Sequence, residues 1–386
     1  MNGKLLALFL AAGAGAPAGA APPATSTDEL VYIGTYTGAK SRGIYVTRFD
    51  RATGRLGPPE LAAESSNPSF LALHPDRPLL YAVNEVSDFE GQPAGSVSAF
   101  KMDAATGRLG LLNKVSSRGA DPCHLAVDAT GKNVLVANYS GGSVASLPIK
   151  PDGSLSPASA FVQHKGSGAD PSRQKGPHAH AVLLDLENRH LLVADLGLDQ
   201  VLLYRFDAAR GGLTPSDPAF AATSPGAGPR HLAFGAGGRY VYVVNEMDLT
   251  VRVFRYEAGR LIGEQTVSTL PAGSKGGKDD STAEIQAHPN GRFLYASNRG
   301  PDTIAVFAVD PKNGHLTPVE HVATGGRTPR SFAIEPSGRY LLAANQKSDT
   351  VVVFKLDPET GRLSPSGQTV EVGAPVCLTF VPQPRR

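Results

Sequence analysis

The chain has 386 residues, with 43 glycines and 31 prolines scattered along its length, a distribution that suits many tight turns between short strands and excludes an architecture of long helices. Lysine and arginine number 37 against 35 acidic residues, and a formal net charge of +2 gives no electrostatic footprint for nucleic acid or an anionic membrane. That balance leaves a small or neutral partner. At the N-terminus, Lys4, the apolar stretch Leu5 to Ala12 and the small residues Ala18-Gly19-Ala20 form the pattern of a secretory signal. Residues 1–20 are therefore expected to be removed and residues 21–29 to form a short linker, leaving a periplasmic or secreted protein. The apolar stretch is far shorter than the about 20 residues that span a bilayer, so no membrane association is expected after cleavage. The two cysteines, Cys123 and Cys377, fall in different repeats at offset register, which argues against a bridge.

From residue 30 onward the chain repeats a unit of roughly fifty residues. Each unit reads as a strand opened by X-Pro, a turn, a strongly apolar strand closing on a polar residue, an alternating strand, and Gly-X-Leu. The closing residues are Thr35, Asn84, Asn138, Asp195, Asn245, Asn298 and Asn345, which makes seven units. The glycines are Gly54, Gly107, Gly153, Gly212, Gly259, Gly314 and Gly361, and they read as hairpin chemistry. Pro68, Pro122, Pro177, Pro229 and Pro329 open strands, Ala283 holds the sixth place without proline, and the first unit has no opener. One opener, Pro375 before Val376 to Phe380, is left over at the C-terminus. That mismatch is what a closed ring needs, since pairing the last strand with the first three removes the open sheet edges. The expected fold is all-β: a seven-bladed β-propeller over residues 30–386, closed by one C-terminal strand plus three N-terminal strands. A two-sheet sandwich gives no reason for seven equal periods, and the absence of tryptophan argues against WD-type repeats.

In an antiparallel blade the first strand enters from the rim at which the second leaves, so openers and closing residues share one rim. The opener positions read Ser69, Cys123, His180, Arg230, Ala283 and Arg330, where a purely structural repeat would keep small or apolar residues. Glu85, Tyr139, Glu246, Arg299 and Gln346 follow the closing residues onto the same rim, and His178, two places before His180, should share its face. His124 and His231, one place further on, are expected to point toward neighbouring blades as structural histidines. Arg330 has a plain reading as a solvated rim residue, and the repeated asparagines as turn formers. Beside those readings stand functional ones, with Arg330, Asn245 and Asn298 as substrate-binding candidates. His178, His180, Arg230, Glu246 and Arg299 converge on blades four to six and suit an anionic or polyhydroxylated ligand.

The runs Asp170-Pro171-Ser172-Arg173-Gln174, Gly176-Pro177-His178-Ala179-His180, Asp195-Leu196-Gly197, Gly228-Pro229-Arg230-His231, Asn245-Glu246, Ala283-Glu284-Ile285 and Asn298-Arg299-Gly300 resemble the lactonase-type propeller family across the mature chain. That family includes propeller-type 6-phosphogluconolactonases and carboxymuconate cyclases. The resemblance implies a lactone hydrolase with a functional His, Arg, Glu and Arg, which map onto His180 or His178, Arg230, Glu246 and Arg299. Equal-length register favours His180 as the base, with the arginines holding an anion and polarising the carbonyl, and with Glu246 orienting the base or donating the proton. The expected partner is a small-molecule lactone or sugar acid, and no cofactor or metal is called for. No Ser-His-Asp elbow, metal-ligand cluster or phosphate loop is visible. The alternatives are an exported cyclase of the carboxymuconate kind, which uses the same residues, and a non-catalytic ligand-binding propeller. The expected reaction is that of a 6-phosphogluconolactonase-type enzyme, hydrolysis of a sugar lactone, phosphorylated or not, to the sugar acid; a phosphorylated sugar lactone is a cytoplasmic metabolite, which for an exported chain brings in sugar lactones such as gluconolactone.

Overall fold

The computed structural model describes residues 28–382; the expected signal, residues 1–20, lies outside them. Seven antiparallel sheets follow one another along the chain, and all but the first take four consecutive strands. In the first, the C-terminal strand Pro375–Phe380 pairs with Asp28–Thr35, which pairs with Gly43–Asp50, and that strand carries both Arg55–Leu56 and Glu60–Glu64. The C-terminal strand closes the ring as the unmatched opener requires, and the expected third N-terminal strand is split into the two short strands Arg55–Leu56 and Glu60–Glu64. We call this sheet blade 1 and number the rest in chain order. Blade 1 begins slightly earlier than expected: Asp28 and Glu29, read as linker, already pair with Asp50 and Phe49.

The second strand of every blade is a run of apolar residues buried on both faces, such as Leu79–Asn84 or Tyr240–Asn245, because each blade is packed between two others. Seven apolar clusters result, each joining two neighbouring blades, for example Tyr242, Val251 and Val253 of blade 5 with Leu294, Ala296 and Phe307 of blade 6. The Gly-X-Leu turns do more than reverse the chain. The Tyr32 hydroxyl donates to the Gly107 carbonyl at 2.8 Å, Tyr81 to Gly153 at 3.0 Å, Tyr242 to Gly314 at 3.1 Å and Tyr295 to Gly361 at 2.8 Å. Each bond ties a second strand to the turn of the next blade. In blade 4 the turn residue with positive φ is Gly211 (67°), not the expected Gly212, which restores the Gly-X-Leu spacing to Leu213.

The first strands surround the axis, and at the functional rim all but that of blade 2 carry a β-bulge. In blade 5, Pro229 pairs with Asn245 and His231 with Val244, so Arg230 is an extra residue. The same slip leaves Cys123, His180 and Arg330 unpaired in blades 3, 4 and 7, Val376 in blade 1, and both Ala283 and Glu284 in blade 6. A bulge bends the strand and breaks its alternation, so successive side chains can both be turned toward the axis.

Candidate active site

Arg230 is the largest of the fully buried side chains. Its Nε donates to Glu246 Oε2 at 3.0 Å and its Nη1 to the Ala283 carbonyl at 2.5 Å. Glu246 also pairs with Arg299 through Oε2 at 2.9 Å and with Arg173 through Oε1 at 2.8 Å. Arg299 is fixed in turn by two bonds to the Thr282 carbonyl, at 2.7 and 3.2 Å. Burial pushes the Glu246 carboxyl up, but Arg299, Arg230 and Arg173 outweigh it and hold the group well below the usual carboxylate range. Its two oxygens accept from all three arginines. Burial and the charges of Arg299 and Arg330 push Arg230 down to about 10. Arg330 lies over the Tyr36 ring, 5.3 Å from its centroid, and donates to the Tyr36 hydroxyl at 2.9 Å; that hydroxyl bonds the Glu85 carboxylate at 2.8 Å. Four guanidinium groups thus face two carboxylates, and the excess of positive charge suits an anion or a developing oxyanion.

Beside this cluster His178 is held from four directions. Its amide donates to Asp195 Oδ1 at 2.7 Å, its carbonyl accepts from Leu196 at 2.9 Å, and its ring stacks on Tyr139 with centroids 4.6 Å apart. Its Nδ1 lies 3.0 Å from the Tyr139 carbonyl, an acceptor only, so Nδ1 carries a proton and the neutral tautomer of this ring has its lone pair on Nε2. The Tyr139 hydroxyl accepts from Arg173 at 3.2 Å, which joins the histidine to the Glu246 cluster. Arg173 reaches over from a loop turned by Asp170, whose Oδ1 accepts the Ser172 and Arg173 amides, and anchored by the buried Gln174.

The expected residues separate on this map. Arg230, Glu246 and Arg299 come together as expected, Arg330 stands beside them, and His178 adjoins through Tyr139. His180 is only 4% exposed, set edge-on to Tyr139 (5.4 Å) and His231 (5.2 Å). Burial, with Arg230 and His231, keeps its imidazole well below the usual range and hence neutral. His124 and His231 each bond the neighbouring blade: the Val182 amide of blade 4 donates to His124 Nδ1 at 3.4 Å, and His231 Nδ1 lies 3.1 Å from Glu284 Oε1 of blade 6. They meet across the axis with ring centroids 5.1 Å apart, and Phe70 of blade 2 closes on both, because the bulge preceding each turns it inward. Asn245 donates to Thr250 of its own blade at 2.8 Å, and the fully buried Asn298 exchanges bonds with Thr269 of blade 5 and donates to Thr303 of its own blade. Arg173 and Tyr36 are not among the rim residues legible in the sequence, whereas Glu85 is, though without a role there. The Asp-Pro-Ser-Arg turn was visible as a motif, but nothing local reveals that its arginine crosses to another blade. Cys123 and Cys377 are free and buried. Among the described residues no group of three or more His, Cys, Asp or Glu is placed to hold a metal ion.

Two clefts, of about 270 and 550 Å³, open on the opposite rim, one beside Asp28, Arg48 and Arg55 and the other beside Arg239, Asn290 and Glu359. Neither contains a residue of the charged cluster, and hydrogen bonding and charge place the chemistry at the arginines instead.

The fold and the site define a closed seven-bladed propeller with an arginine-rich, histidine-flanked rim. The family model described as "Lactonase, 7-bladed beta-propeller" matches residues 30–380, and the chain belongs to that family. It is 38% identical to a 6-phosphogluconolactonase of Bacillus subtilis over 92% of this chain and 99% of the relative. A 6-phosphogluconolactonase of Formosa agariphila is 34% identical over 79% and 86%. The solved structure of a periplasmic gluconolactonase of Pseudomonas aeruginosa is 40% identical and superposes with a TM-score of 0.86, covering 92% of this chain and all of that one.

Proposed function

We propose that the protein is a lactone hydrolase that opens a sugar lactone to the sugar acid. The observation that carries this reading is the Glu246 carboxylate among Arg173, Arg230 and Arg299, next to a histidine whose Nδ1 is engaged by the Tyr139 carbonyl. In this mechanism His178 Nε2 takes a proton from water as the hydroxide oxygen bonds to the lactone carbonyl carbon. The negative charge that develops on the carbonyl oxygen is met by the guanidinium groups around Glu246. As the ring C–O bond breaks, the departing oxygen takes the proton from His178, and the new acid ionises to a carboxylate beside the same arginines. Glu246 keeps Arg230 and Arg299 close together and aligned. His180, buried and neutral, supports Tyr139 and leaves the base role to His178. Kinship with lactonases whose names specify 6-phosphogluconolactone or gluconolactone supports the reaction class.

The test is base-consumption assays on gluconolactone at constant pH with purified variants. His178→Ala is expected to lower kcat by about 100-fold or more, the usual contribution of a positioned base, and His180→Ala to cost mainly stability. Undiminished turnover by His178→Ala overturns the assignment. Thermal stabilisation by sugar acids without hydrolysis of any sugar lactone would make the protein a binding propeller instead.

We also place the protein in the periplasm, from its leader pattern and its similarity to a periplasmic gluconolactonase. That favours an unphosphorylated lactone. N-terminal sequencing of the protein from a periplasmic extract should begin near Ala21; an intact Met1 overturns the placement.

A further inference from the structure

Beneath the arginines, on the axis, lies a group the hydrolytic scheme does not use. His231 Nδ1 and Glu284 Oε1 are 3.1 Å apart, and both side chains are nearly fully buried. His231 immediately follows the bulge residue Arg230, and Glu284 immediately follows Ala283, whose carbonyl accepts Arg230 Nη1 at 2.5 Å. Glu284 itself belongs to the blade 6 bulge; its amide donates to the Ser297 hydroxyl at 3.0 Å, and its Oε1 accepts the Ile285 amide at 3.0 Å. One hydrogen bond therefore spans two irregular strands at the place where each touches Arg230. Bulges leave the ladder unpaired, and something other than ladder bonds must hold them in register.

We propose that Glu284 and His231 are positioning residues for Arg230, a clamp between the bulges of blades 5 and 6 that sets where the guanidinium points. This rests on the reading of the arginine cluster as the centre that binds the anion. The clamp also carries a proton. The groups facing Glu284 are His231 and Arg230 from blade 5, His124 from blade 3 and the Cys377 thiol from blade 1. Burial pushes its carboxyl up to about 7, against the opposing pull of the Ile285 amide, Arg230 and His124. Burial, Arg230 and Arg330 keep His231 well below the usual imidazole range. On the acid side of neutrality the pair is uncharged, and Arg230 turns its field to Glu246 and to ligand. Once Glu284 ionises, a second carboxylate draws on Arg230, and an anionic ligand must compete with it. Binding and protonation are then linked in both directions: an anion at the site holds Glu284 protonated to higher pH.

The experiment uses the mature protein, Glu284→Gln and Glu284→Ala, and gluconate as the probe, a monoanion throughout the range measured. Calorimetric titration of wild type should show Kd rising about fivefold between about pH 6 and pH 8.5, a modest coupling between sites. Glu284→Gln, which keeps the hydrogen bond but cannot ionise, should bind with a flat pH profile. Glu284→Ala should bind about fivefold more weakly at both ends, and its crystal structure should show Arg230 released from the Ala283 carbonyl. A wild-type pH slope retained in Glu284→Gln overturns the proposal, as does an Arg230 that keeps both its bonds in the Glu284→Ala crystal. If gluconate binds as described while no sugar lactone is opened, the hydrolase reading falls and the clamp stands. If wild type binds no gluconate, the crystal structure of Glu284→Ala decides alone.

Discussion

At the scale of residues the site is governed by one carboxylate. Glu246 distributes three arginines over two oxygens, and its ionisation is what allows Arg230 to be buried at all. Glu246→Gln leaves that arginine without a counter-charge, and breaking a buried pair in this way costs about 3–5 kcal/mol. The folded carboxyl titrates far below the ordinary value of 4.5, so its stabilising contribution is complete above that pH and fades as pH falls below it. Thermal unfolding should therefore show the largest gap between wild type and Glu246→Gln near neutrality and a shrinking gap in acid; a gap that does not change with pH refutes the electrostatic account. Arg230→Gln should behave differently. Its charge is disfavoured by burial and by Arg299 and Arg330, so removing it relieves repulsion and offsets part of the loss of two hydrogen bonds. The change in melting temperature should be smaller than for Glu246→Gln. Because an arginine that reads an anion makes no comparable bond to an uncharged ring, kcat/KM should fall much more on an anionic lactone than on a neutral one. Equal losses on both would mean that Arg230 polarises the carbonyl without reading the anion.

At the scale of elements, the blades are joined by apolar surface and registered by polar points. Tyr242 is buried against blade 6 and its hydroxyl satisfies the Gly314 carbonyl, so Tyr242→Phe leaves that carbonyl unpaired at a cost of about 1 kcal/mol. Gly314 has φ 69°, and a Cβ there would lie 2.4 Å from Tyr240 Cγ. Gly314→Ala combines backbone strain with that clash and should cost about 2 kcal/mol or more. Urea titration of the two variants should rank them in that order, and an alanine variant as stable as wild type would deny the glycine its inter-blade role. The repeating Gly-X-Leu was plain in the sequence as a turn, but its second duty was not, because the partner tyrosine belongs to the preceding blade. The bulges were similarly half visible. Counting back from each closing residue reached the correct positions, Cys123, His180, Arg230 and Arg330. Strict alternation placed His124 and His231 against neighbouring blades, where each does bond, but it missed that their rings also meet on the axis, since a bulge interrupts the two-residue period on which that reasoning depends.

At the scale of the whole molecule, stability depends on closing the ring. Val31, Tyr32 and Ile33 pair with Phe380, Thr379 and Leu378, and Val31, Ile33, Leu378 and Phe380 share one apolar cluster with blade 7. A chain ended after Gly373 exposes the Asp28–Thr35 edge and that cluster together. It is expected to elute as aggregate on size exclusion and to lose its near-ultraviolet circular dichroism, whereas a monodisperse folded monomer would show that blade 1 closes without its last strand.

The sequence by itself determined the seven units, their all-β character, the strand left over for closure and the rim on which chemistry could stand. These follow from periodicity and turn chemistry, which act over a few residues. Arg230, Glu246 and Arg299 were also legible, because charge at a strand end is conspicuous against an apolar repeat. Only the tertiary structure set the two histidines apart, by giving Nδ1 of His178 a carbonyl and burying His180. It brought Arg173 from a loop of blade 4 to a carboxylate of blade 5, joined Asn298 to Thr269 of blade 5, and set Glu284 against His231. With the contact of His178 on Tyr139, these pairings join residues 29 to 73 positions apart in the chain, and the local order that writes a repeat contains no record of which blade will lie opposite.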